Sequence, residues 1–194
     1  MNASPWDGLT RFSLRAQIDV GFNSIDQAGA LRLLAAMKDK DMASIGMHNC
    51  NLGVEGAKIV AKMVSAMGSL TSLDLRVNKL GPEGAKALAP GLRNNSSLTS
   101  IGEGGLDLRN NLLGDEGWSA IIGAVCGSSV SMISSIDASK EGISIAGAKL
   151  IAEALGTCVN SALTILDMRY NRLDAREEAL RKAVEGNVGF ELLT

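Results

Sequence analysis

Residues 70–80, Leu70-Thr71-Ser72-Leu73-Asp74-Leu75-Arg76-Val77-Asn78-Lys79-Leu80, fit the frame L-x-x-L-x-L-x-x-N-x-L at every specified position. The frame recurs at Leu163, Leu166, Met168, Asn171 and Leu173; at Leu106, Leu108, Asn111 and Leu113; and at Ile133, Ile136, Ala138 and Ile143. Looser copies lie at Ile45, Met47, Cys50 and Leu52, and at Ile18, Val20, Asn23 and Ile25. The alternation inside each copy is that of a strand with one buried face. Successive Asn-position residues (23, 50, 78, 111, 141, 171) are 27, 28, 33, 30 and 30 residues apart, long enough for a strand, a helix and two turns.

The second half of each unit is helical. Gly81-Pro82-Glu83-Gly84-Ala85 opens the clearest one, and Gly-Ala pairs recur at Gly29-Ala30, Gly56-Ala57 and Gly147-Ala148. Apolar residues then follow at helical spacing: Leu33 and Met37, Val60 and Val64, Leu88 and Leu92, Ile121 and Val125, Ile151 and Leu155. A strand joined to a parallel neighbour needs a crossover, and a helical crossover leaves each unit an apolar flank that only the next unit covers.

The run Leu73-Asp74-Leu75-Arg76, Asn78, Leu80-Gly81 and Glu83-Gly84-Ala85 resembles the ribonuclease-inhibitor-like leucine-rich-repeat proteins, over roughly residues 15–185. The resemblance implies an α/β fold: a right-handed solenoid bent into a horseshoe arc, with a parallel sheet on the concave face and helices on the convex face. The chain, 1–194, reads as a single domain. Residues 1–14, with Trp6, Leu9, Phe12 and Leu14, form an N-terminal cap, about six repeats follow in 15–185, and 186–194 close the sheet as a last strand after the Gly186-Asn187 turn.

The Asn of the frame both donates and accepts, so it can satisfy turn backbone groups hidden from water. Cys50 takes the slot once, as a packed structural thiol. Glu141 takes it in the fifth unit, where a carboxylate only accepts, and this unit is expected to be locally irregular.

Composition narrows the function. A net charge of −2 from 19 basic and 21 acidic residues offers no electrostatic footprint for nucleic acid or an anionic membrane. Three cysteines (Cys50, Cys126, Cys158) without paired spacing argue against a disulfide framework or a four-ligand zinc site, and a reducing compartment is the default. No signal peptide or run of 18 apolar residues is present, so the expected location is cytoplasmic, with import into an organelle and loss of a targeting segment as the alternative. The Asn-x-Ser matches at Asn2, Asn94 and Asn95 are then unused.

Period two places one column, Asp19, Gly46, Asp74, Asp107, Asp137 and Asp167, on the concave face. A second column reads Gly21, His48, Arg76, Arg109, Ser139 and Arg169, with diagonal pairing between the two. Repeated carboxylates in near-identical open environments do not make an acid and base pair, and no Ser or Cys motif accompanies His48, the single histidine, which reads as a surface residue. Neither metal nor cofactor is expected. Phe22, Lys140 and Tyr170 join the columns as concave contact residues, since aromatics beside basic residues anchor interfaces.

Ser100–Gly105 holds about five residues more than the repeat requires and reads as a bulging loop. A strand follows it, which excludes a phosphate-binding loop. Trp118 stands where four other units carry Ala, so the indole either fills room opened by the insertion or turns outward with Glu103 to meet a partner.

The expected function is a non-enzymatic protein-binding or scaffold module, monomeric by itself, within reach of a role as a small subunit of a larger assembly. The alternative is a GTPase activator resembling the leucine-rich-repeat activators of Ran, with Arg76 or Arg109 as a supplied cation.

Overall fold

The computed structural model describes residues 16–23, 25, 27–37, 40–158, 162–173, 177–185 and 189–194. The expected N-terminal cap, the Gly186-Asn187 turn and the sequon at Asn2 lie outside them. Strands and helices alternate: β1 (Ala16–Asp19), α1 (Gln27–Met37), β2 (Met42–Gly46), α2 (Gly53–Ala66), β3 (Ser72–Asp74), α3 (Gly81–Arg93), β4 (Ser100–Ile101) and β5 (Leu106–Asp107), then α4 (Gly114–Cys126), β6 (Ser135–Asp137), α5 (Ile145–Leu155), β7 (Ile165–Asp167), α6 (Glu177–Ala183) and β8 (Glu191–Leu193). All strands pair in parallel in one open sheet of order β1-β2-β3-β5-β4-β6-β7-β8.

The frame residues form the core. Leu70, Leu73, Leu75 and Leu80 are all buried, and Leu73 sits in register between Ile45 and Leu106. On the other side each helix packs on its sequence neighbours, α1 on α2 through to α5 on α6. The result is an α/β leucine-rich-repeat solenoid whose layers are one unit thick.

The frame residues Asn78, Asn111 and Asn171 each tie two units together, whereas Asn23 bonds only its own turn, at Val20 O and Gly21 O. Asn78 accepts from the Cys50 and Leu52 backbone N–H groups at 3.0 and 3.2 Å. Its amide donates to the Met47 and Leu75 carbonyls at 2.8 and 2.9 Å. Asn111 repeats the pattern one unit on, accepting from Asn78 N at 2.8 Å and donating to Leu75 and Leu108 O. Asn171 does so for Glu141 N and Ile143 N. Around these slots the chain turns through left-handed residues, Val77 and Lys79 about Asn78, Asn110 and Leu112 about Asn111.

Residues 100–105 are more than a loop, which corrects the sequence reading. Ile101 and Leu106 pair side by side, and Ile101 pairs on its other side with Ile136, so the insertion adds an extra rung between β5 and β6. Gly105 makes this return possible, since a Cβ there would collide with the Ser100 carbonyl oxygen.

Widening the sheet leaves space beneath it, and Trp118 on α4 fills it: the residue is 1% exposed. The outward, partner-facing orientation is therefore corrected. Its indole N–H reaches Glu141 Oε2 at 3.4 Å, and the Asn110 N–H also donates to that carboxylate. The longer side chain at 141 thus spans a gap that the extra rung has opened between consecutive turns. Burial pushes the Glu141 carboxyl pKa up, and the two hydrogen bonds oppose this only in part. The unit is irregular as expected: α5 starts one residue later than α2, α3 and α4, behind a Ser144 cap that accepts from Ala146 N and Gly147 N and bonds to Asp115.

Cys126 and Cys158 form a disulfide, with Cα atoms 4.4 Å apart. This corrects the expectation that the cysteines stay unpaired. Their separation of 32 residues is close to one repeat, and stacking brings equivalent positions of neighbouring units together.

Two stability outcomes follow from the widened joint. Trp118→Ala is expected to cost about 3–5 kcal/mol by urea denaturation, as for other buried large-to-small changes; a cost below about 1 kcal/mol would mean that the indole is not a core element. Reducing the Cys126–Cys158 bond frees a loop of this length and is expected to lower stability by about 3–4 kcal/mol, read from the urea midpoint with and without a thiol reductant.

Candidate functional site

The concave wall carries a repeated clamp. Register aligns Asp19, Gly46, Asp74 and Asp107 across β1, β2, β3 and β5, and Asp137 with Asp167 across β6 and β7. Asp74 accepts from Arg76 Nε and Nη2 at 3.0 and 2.6 Å, and from the Arg76 backbone N–H at 3.0 Å. Asp107 holds Arg109 and Asp167 holds Arg169 in the same way. Pairing therefore runs mainly within a unit, between residues i and i+2 from the strand end into its turn, and not diagonally. One cross-strand contact links the clamps, Arg76 Nε to Asp107 Oδ2 at 3.4 Å.

In every clamp the arginine uses Nε and Nη2 only, and its side chain keeps 40, 36 and 51% exposure at Arg76, Arg109 and Arg169. Each guanidinium thus presents Nη1, with two N–H donors, from a fixed position. Glu103, exposed at the tip of the inserted turn, adds a negative charge close enough to act on both Arg76 and Arg109.

The N-terminal end of the wall differs. Gly21 and Gly46 replace longer residues, and the His48 ring lies over Gly21, where any Cβ would collide with it. His48 is consequently not a surface residue: its side chain is 12% exposed, with Phe22 edge-on at 4.5 Å and Nδ1 3.2 Å from Asp74 Oδ2. Asp19 Oδ1 lies 3.9 Å from the same nitrogen, and neither approach has hydrogen-bond geometry, so Nδ1 makes no hydrogen bond among the described residues.

Four further residues are placed differently from the sequence reading. Asp107 belongs to the wall but is 5% exposed, covered by the guanidinium groups of Arg76 and Arg109, so it braces them and offers no contact of its own. Phe22, Lys140 and Tyr170 sit in the left-handed turns that follow the strands, on the rim and not on the sheet. Lys140 Nζ lies 5.1 Å from the Tyr170 ring centroid. Val77 and Leu112, 42 and 76% exposed on that rim, were not singled out from sequence. The available signal was a large apolar residue in a turn slot that other units fill with Asn.

Among the described residues no group of three or more His, Cys, Asp or Glu side chains is placed to hold a metal ion. No helix among them is long and apolar enough to cross a membrane.

A leucine-rich-repeat family model matches residues 69–89, the stretch around the best frame. No curated protein sequence matches the chain. Among solved structures, the actin-binding site 2 of leiomodin-1 superposes with a TM-score of 0.55 at 16% identity, over 81% of this chain and 87% of that one. The tropomodulin C-terminal domain of Caenorhabditis elegans gives 0.57 at 13% identity, over 83 and 92%. At these identities the likeness is one of fold, a leucine-rich-repeat solenoid.

The Asp74 and Asp167 clamps contribute to the acid limb of stability. Burial raises the Asp74 carboxyl pKa, but the hydrogen bonds from Arg76 outweigh it and the net shift is downward; at Asp167 the Arg169 hydrogen bonds lead. Their contribution is complete above an unfolded value of about 3.9 and is lost as pH falls through the lowered folded values. Glu141, shifted up, acts oppositely: stability declines as pH rises from about 4.3 through its folded value. Urea midpoints against pH are expected to flatten below about pH 3.9 in Asp74→Asn and above about pH 4.3 in Glu141→Gln. Unchanged profiles would remove both assignments.

Proposed function

We propose that this leucine-rich-repeat solenoid is a non-enzymatic protein-binding or scaffold module that takes its partner on the concave wall. The observation that carries the reading is the row of Asp-clamped arginines at 76, 109 and 169, each partly exposed, held through Nε and Nη2, and with Nη1 outside the clamp. Partly exposed ion pairs contribute at most about 1 kcal/mol each, so stability is a weak reason to repeat them. Fixing a long side chain in advance removes an ordering cost of about 0.5–1.5 kcal/mol from association, which favours a recognition role. Carbonyl or carboxylate oxygens of a partner are the acceptors such donors fit.

The fold supports the same class of role, and the leiomodin-1 neighbour is itself an actin-binding site. What carries over is the use of such a fold for binding a protein, in keeping with a small subunit of a larger assembly. The GTPase-activator alternative needs an arginine free to reach into another protein's site, whereas Arg76 and Arg109 are each held by a carboxylate.

Affinity capture with the wild-type chain and with Arg76→Gln/Arg109→Gln/Arg169→Gln tests the proposal. The triple variant is expected to lose at least tenfold in affinity for the captured partner, about 1.4 kcal/mol, while keeping its cooperative unfolding. Equal retention would move the binding site off the wall. Single-turnover GTP hydrolysis by small GTPases, Ran included, is expected to be unchanged by the chain; stimulation would favour the activator reading.

A further inference from the structure

The aspartates of the wall are not all clamps. Asp74, Asp107 and Asp167 each hold an arginine two residues on, but at Asp19 and Asp137 that slot is filled by Gly21 and Ser139. These two carboxylates accept from the backbone N–H groups of Gly21 and Ser139, at 2.9 and 3.0 Å, and among the described residues neither forms an ion pair with Lys or Arg. His48 Nδ1 stands 3.9 Å from Asp19 without a hydrogen bond. The Asp19 side chain is 68% exposed and Asp137 is partly exposed. With Glu103 on the inserted turn, the two columns carry six carboxylates against three guanidiniums, so the wall is net acidic by three charges in a chain whose total is −2.

At the N-terminal end this excess has a shape. Gly46 leaves the acid column without a side chain on β2, and Asp19 leans across it, since a Cβ on Gly46 would meet the Asp19 carboxyl carbon at 2.5 Å. A hollow of about 410 Å³ results, bounded by Gln17, Asp19, Ser44, Gly46, Ser72 and Asp74; each polar side chain around it offers an oxygen and none carries a positive charge. Asp137 lies five strand steps from Asp19 in the sheet order, about 24 Å at about 4.8 Å per step, and Gly102 of the inserted turn abuts it.

The sign of the wall also decides between the acceptors open to the arginines. Each guanidinium already meets a carboxylate at 2.6 or 2.7 Å, so a clamp is a neutral pair with outward N–H groups and not a free cation. A partner carboxylate at Nη1 would meet the surplus negative charge, whereas a backbone carbonyl accepts the same hydrogen bond without that repulsion. Carbonyl groups inside a helix are already bonded to its own amides, so a segment that offers several in a row is extended.

We propose that the concave wall binds an extended basic segment of a protein partner. One Lys or Arg of the segment enters the hollow between Asp19 and Asp74, a second meets Asp137, and carbonyl groups between them accept from Arg76 and Arg109. At about 3.3 Å per residue, about seven residues separate the two cations. The inference rests on the reading of the wall as the binding face and adds the chemistry of what it takes. A net acidic face disfavours nucleic acid and anionic lipid, which leaves a polypeptide.

A display library of random peptides about 12 residues long, selected on the full chain, tests the proposal. Enriched peptides are expected to be net basic, with two cations about seven residues apart. A synthetic enriched peptide is expected to bind Asp19→Asn/Asp137→Asn about tenfold and Glu103→Gln about threefold more weakly than wild type, with affinity falling as salt rises. Its binding to Arg76→Gln/Arg109→Gln/Arg169→Gln is expected to weaken about tenfold, because the donors to its carbonyls are lost. Asn keeps the oxygen that accepts from Gly21 N and Ser139 N, so the aspartate variant is expected to melt as wild type does; Glu103→Gln, on the exposed turn, carries the charge test if it melts lower. Acidic peptides that depend on the arginines would overturn this inference and leave the wall as the binding face. Peptides indifferent to both the aspartate and the arginine variants would overturn the two readings together. Absence of enrichment, or basic peptides whose binding ignores either set of variants, would also rule out the extended basic segment.

Discussion

A turn that buries its own amides needs something to bond them, and in this chain the answer lies in the neighbouring unit. Asn78 and Asn111 each accept from the turn before and donate across both, so the polar backbone of one unit is satisfied only when the next is folded beside it. Leaving such groups unpaired costs roughly 1–3 kcal/mol apiece. This couples the units more tightly than their apolar flanks do, because an oily surface tolerates sliding and a two-way amide does not. Register in the sheet, and with it every alignment on the concave wall, follows from that coupling.

The wall inherits its order from this ladder. Strands of two to five residues would hold long polar side chains loosely, yet Asp74, Asp107 and Asp167 each sit where they bond the backbone N–H two residues on and grip that residue's guanidinium. The same geometry explains why Asp107 contributes from beneath. Arginines from two strands close over it, and its charge is used to set them. The rim obeys a different logic, since its side chains stand on left-handed backbone and gain nothing from the ladder.

Much of this was legible in the residues themselves. The spacing of Leu73, Leu75, Asn78 and Leu80 specified strand, turn and stacking, and the column of Asp19, Asp74 and Asp107 could be laid out before any coordinate was known. What escaped had physical causes. Pairing within a unit depends on side-chain rotamers, so the Asp74–Arg76 clamp could not be told from a diagonal contact. His48 is covered because Gly21 is small, a relation between units that period-two reasoning does not weigh. The cysteine bond is invisible to spacing along the chain, because residues one repeat apart become neighbours only in the stack. The rung at 100–101 copies a strand within a unit, and a repeat count that assumes one strand per unit has no place for it.

That extra rung alters the arc. In an ordinary unit the helices stand about 8–10 Å apart while the strands are about 4.8 Å apart, and this mismatch is what bends the array. Between α4 and α5 the inner side advances by two strand spacings, about 9.6 Å, against a single helix spacing outside. Inner and outer lengths become equal there, so the bend vanishes at one joint. The molecule is then two curved arms meeting at a straighter splice, and the exposed Glu103 stands on the inserted turn at that splice.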